Sequence, residues 1–163
     1  MNNAYIFIGI AAVGVAVLGT KNVIDLKGAN ENEKRLAPFI KAMEEKHDIK
    51  SGVLHKLLKA ESAFRTDIIN GKTRSSTGAM GIAQFMPLTA REWLGNEANA
   101  LVPEKAIEGA AKYLKWLYVQ MGQDWTKAVA SYNWGIGNVR KKGIASAPKE
   151  TRNYVKKILG VTV

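Results

Sequence analysis

The strongest constraint on the fold is an apolar stripe with helical spacing that follows Pro103. Its members recur every three or four residues: Ile107, Ala110, Ala111, Leu114, Leu117, Tyr118 and Met121. An α-helix turns once in 3.6 residues, so side chains at this spacing share one face. Proline suits the first turn of a helix and glycine the position after its end, and Pro103 and Gly122 occupy those places. The segment therefore predicts a long helix with one buried face.

Five other segments show similar periodicity or similar terminal signals. They cover approximately residues 33–46, 52–64, 87–95, 125–135 and 148–160. Ser51 is a candidate N-cap for the second segment, because its hydroxyl can accept a bond from a free backbone N–H. The one strand candidate is a short hairpin around Asn70-Gly71, a turn-forming pair. Because strands and helices do not alternate, the chain is predicted to be mainly α, with at most one small hairpin.

The composition narrows the classes of function. The chain has 163 residues, which suit one domain with a real core, and it contains no cysteine. Disulfides, zinc–thiolate sites and cysteine nucleophiles are therefore excluded. The formal net charge of +10 favours an anionic partner such as a bacterial wall, an acidic membrane or nucleic acid, and only charge supports the last. His47 and His55 lack metal-ligand spacing, and the sequence has no phosphate-cradling Gly-rich motif, so neither a metal nor a cofactor is predicted.

The N-terminus carries an uncharged apolar run, AYIFIGIAAVGVAVLGT, over residues 4–20. Its length is near the lower limit of about 17–25 residues for a membrane-spanning helix. A cleaved signal peptide and a helix packed in a protein assembly are the alternatives, although a positive n-region and an A-x-A site are missing. The predicted organisation is an apolar N-terminal helix over 1–20, a polar linker over 21–32 and a helical domain over 33–163.

Glu61 conflicts with the apolar pattern around it. It follows Leu57 by four positions and Leu58 by three, which places its carboxylate on the apolar face of the helix predicted over residues 52–64. Burial raises the pKa of a carboxyl group, so that the group can hold a proton near neutral pH and donate it, as a glycosidase acid does. A buried glutamate paired with a lysine or arginine would show the same spacing.

Four motifs then occur in order along the chain. They are ESAF at 61–64, GAMGIAQFMP at 78–87, SYNWG at 131–135 and ETRNYV at 150–155. They resemble, respectively, the ES.F, G-x-M-G-x-x-Q-x-M-P, AYNxG and ETxxYV motifs of the soluble lytic transglycosylases, which are goose-lysozyme-like enzymes. The ten-residue second motif is the most specific, and the resemblance covers roughly residues 36–159.

The resemblance implies a lysozyme-like catalytic domain that cuts the β-1,4 bond between N-acetylmuramic acid and N-acetylglucosamine in peptidoglycan glycan strands. Glu61 would protonate the glycosidic oxygen and then take the proton of the muramoyl 6-hydroxyl as that oxygen attacks the anomeric carbon. The product would carry a 1,6-anhydromuramoyl end, and no water would be consumed. A hydrolase of the same fold and a catalytically silent wall-binding or virion module remain as alternatives.

A second carboxylate is not assigned. A retaining glycosidase uses two carboxyl groups about 5–5.5 Å apart. Four residues are candidates for the second one, and none matches a nucleophile of the family: Asp67, Glu92, Asp124 and Glu150. The acetamido group of the substrate is therefore the expected source of help for the cation-like transition state.

The resemblance also implies three substrate-binding residues close to the catalytic acid in sequence. Ser62 would hydrogen-bond Glu61 or the sugar. Met80 and Gln84 would line the cleft, with Gln84 bonding an acetamido or hydroxyl group.

Three further site residues are implied near the C-terminus. Tyr132 and Asn133 would lie opposite Glu61 and position the muramoyl residue, and Tyr154 would hydrogen-bond the Glu61 carboxyl.

The chain departs from the family pattern in its spacing from Glu61 to Gly78, which is longer than usual and indicates an insertion around Asn70-Gly71. Ser131 and Trp134 also replace an alanine and a small residue. The protein is expected to be anchored in a membrane, with its catalytic domain acting in the periplasm or cell wall. The alternative is that it belongs to a phage virion or a secretion assembly.

Overall fold

The computed structural model describes residues 26–163, and within that range it contains eight α-helices. The helices are α1 Glu31–Lys46, α2 Val53–Ser62, α3 Thr66–Ile69, α4 Pro87–Leu94, α5 Pro103–Gln120, α6 Trp125–Trp134, α7 Ile136–Lys142 and α8 Lys149–Leu159. Two 3₁₀ turns, Glu97–Leu101 and Ile144–Ser146, precede α5 and α8. The predicted mainly α architecture is confirmed.

Helix α5 lies at the centre of the bundle, in contact with α1, α2, α4 and α6. Its predicted apolar stripe is buried, and Ile107, Leu114 and Leu117 are fully inaccessible to solvent. Helix α8 packs against α2 and α6 on one side of this core. The helix that carries Glu61 is thus held between α1, α5 and α8.

Helix α1 begins at Glu31, inside the segment predicted to be a linker. Asn30 is its N-cap, and the Asn30 side chain accepts a hydrogen bond of 2.9 Å from the backbone N–H of Glu33. Pro38 consequently lies in the helix interior and removes one backbone donor. Burial of Leu36 and Ile40 on either side holds the helix across that gap.

Helix α2 is capped from outside its own sequence. Ser51 was the predicted N-cap, but the N-cap is Gly52 and has no side-chain cap bond. The buried carboxylate of Glu44, on α1, accepts hydrogen bonds from the backbone N–H groups of Gly52 at 2.8 Å and His55 at 3.1 Å. The long-range cap fixes the start of α2 to α1.

The hairpin predicted around Asn70-Gly71 is wrong. The short helix α3 precedes a turn, in which the Asn70 side chain accepts from the N–H of Lys72 at 3.1 Å. Within residues 26–163, the β pairing found is an isolated antiparallel bridge between Met80 and Phe85. The pair does form a turn, as predicted, but a helix precedes this turn where a strand was expected.

The predicted apolar helix over residues 1–20 lies outside the described residues. Among helices in the range 26–163, none combines the length and the hydropathy needed to cross a bilayer.

Candidate active site

Glu61 lies in the last turn of α2, at the end of a stripe of buried leucines. Leu54, Leu57 and Leu58 on this stripe are fully buried, and Glu61 is partly buried beside α8. The hydroxyl of Tyr154, from α8, donates a hydrogen bond to Oε1 of Glu61. Two elements far apart in sequence therefore meet at one carboxylate.

Burial raises the pKa of Glu61 from its ordinary value of 4.5 to about 7. The cause is loss of solvation, which disfavours the charged form. The hydrogen bond from Tyr154 and the positive charge of Lys157 lower the pKa, but they are weaker than the effect of burial. A carboxyl group with a pKa close to neutral pH can donate a proton and take one back in a single reaction cycle.

Tyr154 is held as a permanent donor. Helix α8 buries Thr151, Val155 and Ile158 against the bundle, which fixes the face that carries Tyr154. Burial raises the pKa of Tyr154 well above its usual value, and the negative charge of Glu61 adds to this effect. The phenol therefore keeps its proton and orients the Glu61 carboxyl.

Tyr132 joins α6 to the glycine-rich segment over residues 78–87. Its hydroxyl donates to the backbone carbonyl of Ala83 at 3.0 Å. Burial raises the pKa of Tyr132 well above its usual value, and the charge of Glu61 is the second cause. Tyr132 is thus close enough to Glu61 for the charge of Glu61 to affect its pKa. Its hydroxyl proton is used in the hydrogen bond that holds the segment over residues 78–87.

The segment over residues 78–87 folds tightly against the 3₁₀ turn before α5. Gly81 has φ of +74°, and a Cβ there would lie 1.8 Å from the carbonyl oxygen of Ala100. Gln84 also has a positive φ, of 49°, and its Nε2 donates to the carbonyl of Gly81 at 2.9 Å. The resulting turn places Gln84 at a cavity of about 60 Å³ that Tyr113 and Tyr132 also line.

Ser62 and Met80 are both buried in the structure. Ser62 is 1% exposed, and its hydroxyl donates to the carbonyl of Leu58 and accepts from the N–H of Phe64. Met80 is also 1% exposed and pairs with Phe85 through its backbone. Both side chains are thus packed inside the domain, and a role in substrate binding stays a prediction for each of them.

Asn133 is exposed at the end of α6, next to Tyr132. Its Oδ1 accepts a hydrogen bond of 2.8 Å from the hydroxyl of Thr151, on α8. This bond joins the two helices that supply Tyr132 and Tyr154, so Asn133 also has a role in aligning them.

The candidate second carboxylates have other roles. Asp67 is bonded by Arg65 and Thr73, Asp124 caps α6, and Glu92 and Glu150 are exposed. The groups in residues 26–163 that offset the raised pKa of Glu61 are Tyr154 and Lys157, neither of them a carboxylate. No group of three or more potential metal ligands is found in that range.

Two asparagines that were not predicted from the sequence fix the chain after Glu61. Ala63 and Phe64 both have left-handed backbones, with φ of 49° and 55°. The side chain of Asn30 donates to the carbonyl of Ala63 at 2.9 Å, and that of Asn32 donates to the carbonyl of Phe64 at 3.1 Å. Asn30 three residues before Glu33 is a recognisable capping pattern, whereas nothing in the sequence marks Asn32.

Comparison with known proteins identifies the family to which this chain belongs. The family model described as the transglycosylase SLT domain matches residues 38–155. The soluble lytic murein transglycosylase of Salmonella typhimurium is 32% identical over 133 residues, which are 69% of this chain and 20% of that protein. The peptidoglycan transglycosylase gp16 of Escherichia phage T7 is 36% identical over 101 residues, covering 54% of this chain and 8% of that protein.

Solved structures agree with the sequence comparison. An inactive mutant of the lytic transglycosylase Slt from Pseudomonas aeruginosa matches with a TM-score of 0.63 and 26% identity. The 70 kDa soluble lytic transglycosylase from Escherichia coli matches with a TM-score of 0.63 and 29% identity, and each match covers 75% of this chain and 22% of the other. The chain therefore spans about a fifth or less of these relatives, and it belongs to the transglycosylase SLT domain family.

Proposed function

We propose that this protein is a peptidoglycan lytic transglycosylase in which Glu61 is the single catalytic carboxyl group. The observation that carries the proposal is the buried position of Glu61, whose pKa is raised to about 7 while Tyr154 holds it in place. A group in that state supplies the proton that a glycosidic oxygen needs in order to leave.

The reaction needs no co-reactant. Glu61 donates its proton to the glycosidic oxygen as the bond from that oxygen to the anomeric carbon breaks. The 6-hydroxyl of the muramoyl residue then forms a new bond to the same carbon, and its proton returns to Glu61. The product is a 1,6-anhydromuramoyl end, and the catalyst regains its starting state without water.

Tyr132, Asn133 and Gln84 are proposed to hold the muramoyl side of the bond. Tyr132 and Gln84 line the same small cavity, and Asn133 is exposed beside Tyr132. Ser62 and Met80 are proposed to act through packing, because both are buried. The substrate's own acetamido group is proposed to stabilise the cation-like transition state, since Tyr154 and Lys157, the groups within residues 26–163 that act on Glu61, are not carboxylates.

The biological setting is proposed to be local opening of the bacterial wall during phage infection or by a machine that crosses the envelope. The similarity to a phage T7 transglycosylase supports the first setting. The net charge of +10 would concentrate the protein on an anionic wall. Residues 4–20 are proposed to attach the domain to a membrane or an assembly.

The test is product analysis on purified peptidoglycan with the Glu61→Gln variant and a matched control, Glu45→Gln. Glu45 is an exposed carboxylate on α1 outside the four motifs, so its conversion to an amide should leave the rate unchanged. Glu61→Gln should remain folded and lose at least about 10²–10⁴-fold in rate. Reducing ends, heavier than anhydro ends by one water, would show a hydrolase, and an inert wild-type protein in a zymogram would show a silent wall-binding module.

A further inference from the structure

Three aromatic side chains outside the catalytic motifs pack together on α4 and α5; we refer to Trp93, Tyr113 and Trp116 as the aromatic platform. The ring centroid of Tyr113 lies 5.1 Å from that of Trp93 and 6.1 Å from that of Trp116, and the two tryptophans are 5.6 Å apart. The Tyr113 and Trp116 rings are nearly parallel, with planes inclined by 20°.

The platform is positioned by the packing of α4 against α5. Tyr113 and Trp116 are three residues apart on α5 and therefore share a face. Gly109, one turn earlier, gives α4 room to approach, because a Cβ at that position would lie 2.0 Å from Cδ2 of Leu94. Close packing of α4 on α5 brings Trp93 against the other two rings.

The platform is partly open to solvent. Trp116 is 37% exposed, and Trp93 and Tyr113 are partly buried. One exposed apolar side chain needs no explanation, but a contiguous set of large rings beside a cleft is typical of a binding surface. Flat aromatic faces suit the C–H faces of pyranose rings, and the tryptophan N–H can bond a hydroxyl group.

The platform is continuous with the proposed catalytic cleft. The ring of Tyr113 lies 5.3 Å from that of Tyr132, and both tyrosines line the cavity of about 60 Å³ beside Gln84. A glycan strand bound at Tyr132 could therefore reach the platform without leaving the protein surface.

A larger groove adjoins the platform at Trp93. Its volume is about 240 Å³, and its polar lining includes Asn99, Lys105, Glu108 and Lys112. An aromatic wall with an amide, a carboxylate and amines is the combination that orients polar ligands such as saccharides. Lys105 donates to Oδ1 of Asn99 at 3.0 Å and Lys112 pairs with Glu108 at 3.2 Å, so these polar groups are held in place along the groove.

We propose that the aromatic platform and this groove bind sugar residues of the same glycan strand beyond those held at Glu61. This proposal rests on the proposed function, because it takes the occupant to be the strand that is cut. The platform increases the affinity for long strands and does not take part in the chemical step.

The test compares two glycans without stem peptides, a disaccharide and an octasaccharide, both built of alternating N-acetylglucosamine and N-acetylmuramic acid. Binding is measured by calorimetry with the full chain carrying Glu61→Gln, so that the probes are not cut. Trp116→Ala and Trp116→Gln are added separately, so that misfolding of one does not decide the result. Val119→Ala is the control, because Val119 is 56% exposed on the same helix and lies outside the platform.

Each tryptophan replacement should weaken octasaccharide binding by about three- to tenfold and leave disaccharide binding unchanged. Val119→Ala should change neither. Equal affinity of the parent and both Trp116 variants for the octasaccharide would overturn the proposal, as would an equal loss for both probes. Turnover of peptidoglycan by the wild-type chain is measured separately, so that failure of the proposed function and failure of the platform give different results.

Discussion

Burial of Glu61 destabilises its charged form and makes its proton available for catalysis near neutral pH. Raising its pKa from 4.5 to about 7 makes the charged form less stable by about 3 kcal/mol. Its hydrogen-bond partner is a tyrosine hydroxyl, and the charge of Lys157 is the weakest of its influences. The structure thus favours a tuned acid over the alternative of a glutamate neutralised by a basic partner.

Replacing Glu61 with glutamine should stabilise the protein at alkaline pH. Between pH 4.5 and about 7 the native state keeps a proton that the unfolded state releases, so the Glu61 contribution is lost as pH rises through this window. At pH 8 the free energy of unfolding of Glu61→Gln should exceed that of the wild type by up to about 3 kcal/mol, relative to the difference at pH 4. Urea unfolding of both proteins at the two pH values measures this. A difference that does not vary with pH would mean that Glu61 titrates normally.

Removing the Tyr154 hydroxyl should shift the pH dependence of the reaction. The hydrogen bond from Tyr154 lowers the pKa of Glu61, so Tyr154→Phe should raise that pKa and move the alkaline fall in rate to higher pH. The ring still packs, and the stability lost should be only about 0.5–1.5 kcal/mol. The paired measurement is a pH–rate profile and a melting temperature. An unshifted profile with a large drop in melting temperature would make Tyr154 a purely structural residue.

At the scale of elements, the segment over residues 78–87 depends on two glycines for different reasons. Both have positive φ, but a Cβ at Gly81 would collide with the carbonyl of Ala100, whereas one at Gly78 would meet no heavy atom within 4 Å. Gly78→Ala should therefore cost only backbone strain of about 1–2 kcal/mol. Gly81→Ala should cost more than about 3 kcal/mol or prevent folding, because overpacking is added to the strain. Chemical denaturation of the two variants compares them, and equal losses would show that the close approach to Ala100 does not exist.

The helices could be predicted because their signals are local. Apolar spacing, with Pro103 and Gly122, marked α5, and the buried leucines marked α2. The elements that were missed depend on distant partners. Ser51 is the nearest residue that could cap α2, but the cap is the Glu44 carboxylate on α1. No local sequence signal indicates that a residue of another helix takes this role. The Asn70-Gly71 pair signals a turn, but not whether strands or a helix adjoin it.

The candidate site was predictable in identity more than in orientation. The motifs brought Glu61 and Tyr154 together, although they are 93 residues apart, because motif order carries information about a shared fold. The same motifs do not say which side of the backbone is buried. The burial of Ser62 and Met80 is therefore not visible in the motifs, and Asn32 was missed because its partner is a backbone carbonyl.

At the scale of the whole molecule, the domain matched by the family model and the apolar run over residues 4–20 are separate in sequence. Deleting residues 1–20 should leave cleavage of soluble glycan unchanged while reducing binding to membranes or to an assembly. Turnover and sedimentation with vesicles, measured for the full and shortened chains, check both parts. A shortened chain that does not fold would show that the run belongs to the core of the domain.

Glu61 is proposed to be an acid with a pKa near neutrality whose proton drives the reaction. Its carboxyl carbon can be titrated by NMR in the full chain, using the Glu61→Gln variant to assign the signal, and compared with the pH dependence of kcat/KM. We expect a pKa of about 7 for Glu61 and a fall in rate at the same pH. Titration of Glu61 near 4.5, or a rate that does not follow its protonation, would contradict this role of Glu61.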